Sequence, residues 1–259
     1  MTDLLVQQEK YLEAGIHIGT KIKTPDMNQF IYKARQDKLF VLDLKKVDDR
    51  LRFAAKLISR YDSSTILVVA SRAYAANAAS KFASLVGCKV IAGRFVPGIF
   101  TNPARPNFCE PKLLFVCDPK GERQGILEAS HVGVPVIALC DTDNSTKFVD
   151  WIIPCNNKGK KSLALIFYLL TREVMKVRGL IASNEEFKIP LEEFEEMPPE
   201  LGEEGEGTGA EGEGEEPVPS APEPAPKTVS ESIAREKSEK EGGESNEGAP
   251  GGPEPPSPA

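Results

Sequence analysis

The chain has 259 residues and a formal net charge of −7, with 32 Lys+Arg against 39 Asp+Glu. That balance hides a division: residues 1–182 carry 27 Lys+Arg against 17 Asp+Glu, whereas residues 183–259 carry 5 against 22. Five cysteines without C-x-x-C spacing (Cys88, Cys109, Cys117, Cys140, Cys155) argue against a disulfide framework or a thiolate metal site, and no secretory segment or apolar run of ~20 residues appears.

In chain order, Leu4, Leu5, Gln8, Tyr11 and Leu12 predict a short helix stopping near Gly15, followed by a basic loop over 17–29. Phe30–Ala34 and Leu39–Leu42 flank the charged turn Arg35-Gln36-Asp37-Lys38, the pattern of a hairpin. Asp43 is positioned to cap a helix whose apolar stripe is Leu44, Val47, Leu51, Ala54, Ala55 and Ile58. Strands and helices then alternate. The strands are Ile66–Ala70, Lys89–Ala92, Leu113–Cys117, Val136–Cys140 and Trp151–Ile153. The helices run from about 72 to 86, 123 to 131 and 160 to 178, the last ending at Gly179. Continuously apolar strands separated by helices predict an α/β fold: a doubly wound parallel sheet of about five strands flanked by helices, with an N-terminal helix and hairpin extension.

The basic region, residues 1–182, is read as one α/β domain whose N-terminal extension covers 1–43. Residues 183–198 read as an acidic amphipathic linker. There Phe187, Ile189, Leu191 and Phe194 alternate with glutamates and have docking on a partner or on the domain as the alternative to a disordered linker. Residues 199–259 read as a disordered acidic tail. Only 8 of the 77 residues after Ala182 are Leu, Ile, Val or Phe, too few to offset roughly 1–2 kcal/mol of ordering entropy per residue.

A basic domain points to a polyanion, most often nucleic acid. Three clusters are candidate RNA-binding sites. Lys21, Lys23, Lys33, Arg35 and Lys38 form the first. In the second, the 93–108 loop mixes Arg94 and Arg105 with Phe95, Phe100 and Phe108; the arginines suit phosphates, and the rings either stack on bases or pin the loop to its own domain. The third, Asn156–Ser162, sets Lys158, Lys160 and Lys161 at a strand-to-helix turn, either a phosphate site or a solvated basic helix start.

Enzyme motifs are absent. No G-x-G-x-x-G follows Ile66–Ala70, and Gly159-Lys160-Lys161-Ser162 lacks the first phosphate-loop glycine because position 154 is Pro154. Asp118, Asp141 and Asp143 fall at carboxyl ends of strands. They admit a Mg²⁺ enzyme or receiver-like reading, but turn and helix capping is preferred, since no His or Lys is recognised at a neighbouring strand end. No cofactor, catalytic group or metal site is therefore expected. His17, His131 and Trp151 read as structural.

Ala14-Gly15-Ile16-His17-Ile18-Gly19-Thr20, Phe30-Ile31-Tyr32-Lys33, Leu42-Asp43-Leu44, Gly93-Arg94-Phe95 and Ile153-Pro154-Cys155-Asn156-Asn157-Lys158-Gly159 follow one another in an order that resembles the second protein of the small ribosomal subunit. The likeness spans about residues 4–190 and is to the archaeal branch, related to the eukaryotic ribosomal protein SA, the laminin-receptor precursor. It implies a non-enzymatic, cytoplasmic, ribosome-bound constituent touching rRNA and neighbouring ribosomal proteins, with no membrane or small-molecule partner. There is no room for the coiled-coil insertion of bacterial members. The tail has no tryptophan, unlike the acidic repeats of the eukaryotic tail, so laminin binding is not implied.

Overall fold

The computed structural model describes residues 4–195, all within the first of two units, Met1–Gly207. The second, Thr208–Ala259, and the whole of the segment read as a disordered tail, 199–259, lie outside the described residues.

Helix α1 (Gln8–Ala14) ends at Gly15, which takes the left-handed conformation (φ 70°) and returns its N–H to the last turn. The hairpin pairs β1 (Ile31–Ala34) with β2 (Phe40–Leu42). Helix α2 (Leu44–Ser59) starts where Asp43 accepts the Lys45 N–H at 3.1 Å. There follow β3 (Ile66–Ala70), α3 (Ala73–Val86), β4 (Lys89–Ala92), β5 (Leu113–Val116), α4 (Arg123–Val132), β6 (Val136–Cys140), β7 (Trp151–Pro154), α5 (Lys160–Val177) and the one-turn α6 (Glu192–Glu195). The five strands β3–β7 form one parallel sheet in the order β4-β3-β5-β6-β7, so all their carboxyl ends share one edge.

Alternate residues of the central strands feed two separate cores, which is why these strands show no polar alternation. Val68, Phe115, Leu139 and Ile153 face Leu51, Phe82 and Phe167 of α2, α3 and α5. Leu67, Val69, Leu114 and Ala138 face the opposite way, where α4 is the only long helix among the described residues. The rest of that face is covered by Met27, Phe30 and Leu42 from the N-terminal region and by Phe95, Ile99 and Phe100 from the 93–108 loop. The N-terminal loop and hairpin are thus part of the core's cover rather than an appendage.

The linker expected over 183–198 is not free along its described part. Phe187 and Phe194 are buried, and both rings pack edge-on against Tyr168 of α5. Lys81 of α3 pairs with Glu193, so residues 183–195 form a strap across α3 and α5. The alternation of four apolar side chains with acids is the sequence counterpart of this strap. Trp151 sits at the sheet edge, its ring 4.0 Å from Phe53 and under the Arg50 guanidinium at 4.2 Å.

Candidate nucleic-acid interface

In a doubly wound sheet the ligand crevice opens where strand order reverses, here between β3 and β5. Its own side chains fill it. Arg72 donates to Asp118 Oδ2 from Nε at 2.9 Å and from Nη2 at 2.7 Å. The other oxygen of Asp118 accepts the Asn144 side-chain amide and the Lys120 backbone N–H, both at 3.1 Å. Alongside, one oxygen of Glu122 accepts the Ser71 N–H at 2.7 Å and hydroxyl at 3.0 Å; the other accepts the Cys117 and Asp118 N–H groups at 2.9 and 3.2 Å. Burial drives the Glu122 carboxyl up to about 7, against the pull of these donors.

The other two strand-end carboxylates are also engaged. Asp141 accepts the Thr142 N–H at 2.6 Å, and burial raises its pKa. Lys158 at the end of β7 reaches Asp143 at 3.0 Å and Asp141 at 3.5 Å. This corrects the expectation that no lysine stands at a neighbouring strand end. Asp118 and Asp141 do take local N–H groups, as capping predicts, but Arg72 and Lys158 neutralise them. Among the described residues no group of three or more His, Cys, Asp or Glu is arranged to hold a metal ion.

The basic loop lies on the same edge, over β6 and β7. Thr20 and Thr24 donate their N–H groups to the Thr142 hydroxyl and carbonyl, both at 2.9 Å. The Asn156 N–H donates to the Ile16 carbonyl at 3.0 Å. Contact is close enough that a Cβ on Gly19 would stand 2.5 Å from Thr142 Cγ2 and 2.9 Å from the Phe40 carbonyl, so only glycine passes here. Lys21 and Lys23, carried by this loop, are exposed. So are Lys160 and Lys161 on the first turn of α5, next to the Asn156 carboxamide that accepts the Lys158 and Gly159 N–H groups. The fold therefore brings Lys21 and Lys23 of the first cluster and Lys160 and Lys161 of the third to one stretch of edge. Within the third, Lys158 differs from its neighbours in being held by Asp141 and Asp143.

Arg94 follows β4, at the same edge but four strands from β7, roughly 19 Å away at the ~4.8 Å spacing of strands. Arg94 and Arg105 are exposed, whereas Phe95 and Phe100 are buried with ring centroids 5.3 Å apart, and Phe108 is half-buried. Glu128 of α4 accepts the Gly98 and Phe100 N–H groups at 2.7 and 3.3 Å. Of the two readings of these rings, pinning the loop to its own domain holds for Phe95 and Phe100. Lys33, Arg35 and Lys38 project from the hairpin, with Lys38 at the turn in the left-handed region (φ 62°).

The family model for ribosomal protein S2 matches residues 11–107 and 105–176. The chain belongs to the ribosomal protein S2 family. Small ribosomal subunit protein uS2 of Thermofilum pendens is 54% identical over 192 residues, which cover 74% of this chain and 90% of that relative. The uS2 proteins of Picrophilus torridus and Methanococcus maripaludis are 50% and 48% identical, over 74% and 71% of this chain and 96% and 84% of their own lengths. These relatives are archaeal, in keeping with the branch expected from the sequence.

For an S2-family chain the residues that sequence reasoning missed are Arg72, Glu122 and Glu128, all of which hold loops. Arg72 and Asp118 are 46 positions apart in the chain and meet only because β3 and β5 are adjacent. A strand-end Arg facing a strand-end Asp at the point of reversal was the available signal.

Proposed function

We propose that this protein is a structural constituent of the small ribosomal subunit. It binds folded rRNA by shape and phosphate contacts and also binds neighbouring ribosomal proteins, in the cytoplasm and on the ribosome. The observation that carries this reading is the disposition of charge along one sheet edge. The crevice that serves ligands in other doubly wound folds is filled by Arg72, Asp118 and Glu122, while Lys21, Lys23, Lys160 and Lys161 stand exposed on the same edge. Such a surface suits a polyanion, and at the switch point the Arg72 and Asp118 side chains are committed to each other. Arg94 and Arg105 extend the basic surface to the far side of the sheet, and Lys33, Arg35 and Lys38 extend it along the hairpin. Lys158 contributes by fixing the β7–α5 turn. Family membership supports a structural rather than a catalytic role, and no helix among the described residues is long and apolar enough to cross a membrane.

The test is sedimentation of the tagged chain from its host lysate. Co-migration with small subunits through moderate salt is the expected result. Migration at the top of the gradient at low salt would overturn it.

A further inference from the structure

A second feature lies away from the sheet edge. Between α1, the hairpin and the start of α2 is a cleft of about 700 Å³, within the ~300–1,000 Å³ range of ligand sites. Leu12, Val41 and Leu44 form apolar walls, and Tyr32 stands at the cleft's side. Two of these side chains are exposed, Leu12 at 45% and Tyr32 at 71%, the latter above the other exposed large apolar side chains of the described chain. Three cations, Lys33, Arg35 and Lys45, also line the cleft, and Lys33 Nζ lies 5.9 Å from the centroid of the Tyr32 ring. Among the described residues lining the cleft, the carboxylate is that of Asp43. Asp43 is taken up by the Lys45 N–H at the start of α2, and Asp37 lies outside the lining, 3.9 Å from Arg35.

An apolar hollow with an open aromatic ring and a surplus of cations matches a ligand that is flat and apolar in one part and anionic in the next. An unpaired nucleotide has that chemistry, because its base offers a π-face and its backbone a charge at each step. We infer that the cleft receives an unpaired base of RNA, stacked on Tyr32, with the adjoining phosphates on Lys33, Arg35 and Lys45. The inference rests on the ribosomal reading, since it names how one part of the proposed RNA surface is used. It assigns Tyr32, which composition did not single out, a role distinct from phosphate attraction.

The experiment uses the full chain and an eight-residue oligoriboadenylate carrying 2-aminopurine at its centre, with inorganic polyphosphate and an acidic Leu/Glu peptide as competitors. Stacking is expected to quench the 2-aminopurine on binding. Tyr32→Leu, at an exposed position, should preserve the thermal midpoint, abolish the quench and weaken binding by roughly tenfold. Lys33→Gln with Arg35→Gln should lower the slope of log affinity against log salt by about 1.4. Binding of wild type without quench, or equal binding by Tyr32→Leu, overturns the inference. So does displacement by the peptide at lower concentration than by the oligonucleotide, which would make the cleft a protein site. Tyr32→Leu chains should still sediment with small subunits. If they do while the quench is absent even in wild type, the cleft proposal fails and the ribosomal reading stands. If wild type itself fails to sediment with subunits, that reading fails.

Discussion

Two stretches of one sheet edge use charge in opposite ways. At the β3–β5 reversal, Arg72, Asp118 and Glu122 satisfy one another and the surrounding backbone, and the carboxylates are almost entirely withdrawn from water. At the β6–β7 end, Lys21, Lys23, Lys160 and Lys161 remain in solvent. Lys158 and its two aspartates lie on that second stretch and behave like the first. The contrast teaches that position at a strand end does not make a charged residue functional. What its charge is committed to decides that, and a polar network closed on itself stabilises the fold while leaving little for a ligand.

The comparison can be broken from its closed side first. Asp118→Ala takes from Arg72 its carboxylate partner and from the Asn144 side-chain amide and the Lys120 N–H their acceptor. It should cost about 3 kcal/mol by chemical denaturation, discounting the usual cost of a broken buried pair because Arg72 is partly exposed. RNA affinity at matched folded fraction should not change. Glu122 gives a pH test. Its pKa is raised from 4.5 to about 7 on folding, so the folded state holds the proton more tightly than the unfolded chain. Stability should therefore be greatest below about pH 4.5 and fall as pH rises to about 7, by up to about 3 kcal/mol from this group. Carboxyl NMR of Glu122 titrating near 7, and loss of this limb in Glu122→Gln, are the readouts.

Gly19 seats the basic loop on the open stretch. A Cβ there meets Thr142 and the Phe40 carbonyl, so Gly19→Ala should destabilise by about 1–3 kcal/mol and also weaken RNA binding, by displacing Lys21 and Lys23. On the open side, replacing Lys21, Lys23, Lys160 and Lys161 with Gln should shift stability by less than about 0.5 kcal/mol per site. Their loss should reduce the salt slope of RNA binding by up to about 0.9 for each lost contact with duplex phosphate. Deleting residues 199–259, which hold 16 acidic residues against 4 basic ones, has the smallest expected effect. If the tail competes with RNA for the basic surface, non-specific RNA affinity rises several-fold in low-salt titration; unchanged affinity would sink that idea.

The alternation of apolar runs and helices was enough to read the sheet from sequence, because a strand covered on both faces needs apolar side chains at every position, as in β3 and β6. Exposure of Lys21, Lys160 and Lys161 was legible for the same reason in reverse. What sequence could not supply was the choice among partners distant in the chain. Lys158 looks like Lys160 until β6 and β7 pair and bring Asp143 within 3.0 Å. Phe95 and Phe100 look like stacking rings in a Pro/Gly-rich loop until the second face of the sheet, with α4 as its only long helix among the described residues, requires further cover. Residues 183–195 looked like linker on charge, and it is the burial of two phenylalanines among acids that decides otherwise.

Helix α5 closes the larger core, its Leu163, Ile166 and Phe167 sharing one cluster with Val68, Phe115 and Leu139 of the sheet and with α2 and α3 residues. Being the last long element of the described chain, it also sets when folding can finish during synthesis. Until residues 160–177 have left the exit tunnel, the part of that sheet face which they cover beside α2 and α3 lacks its apolar partner. A nascent chain stopped before Lys160 is therefore expected to expose apolar surface of the kind that makes folding intermediates prone to aggregate.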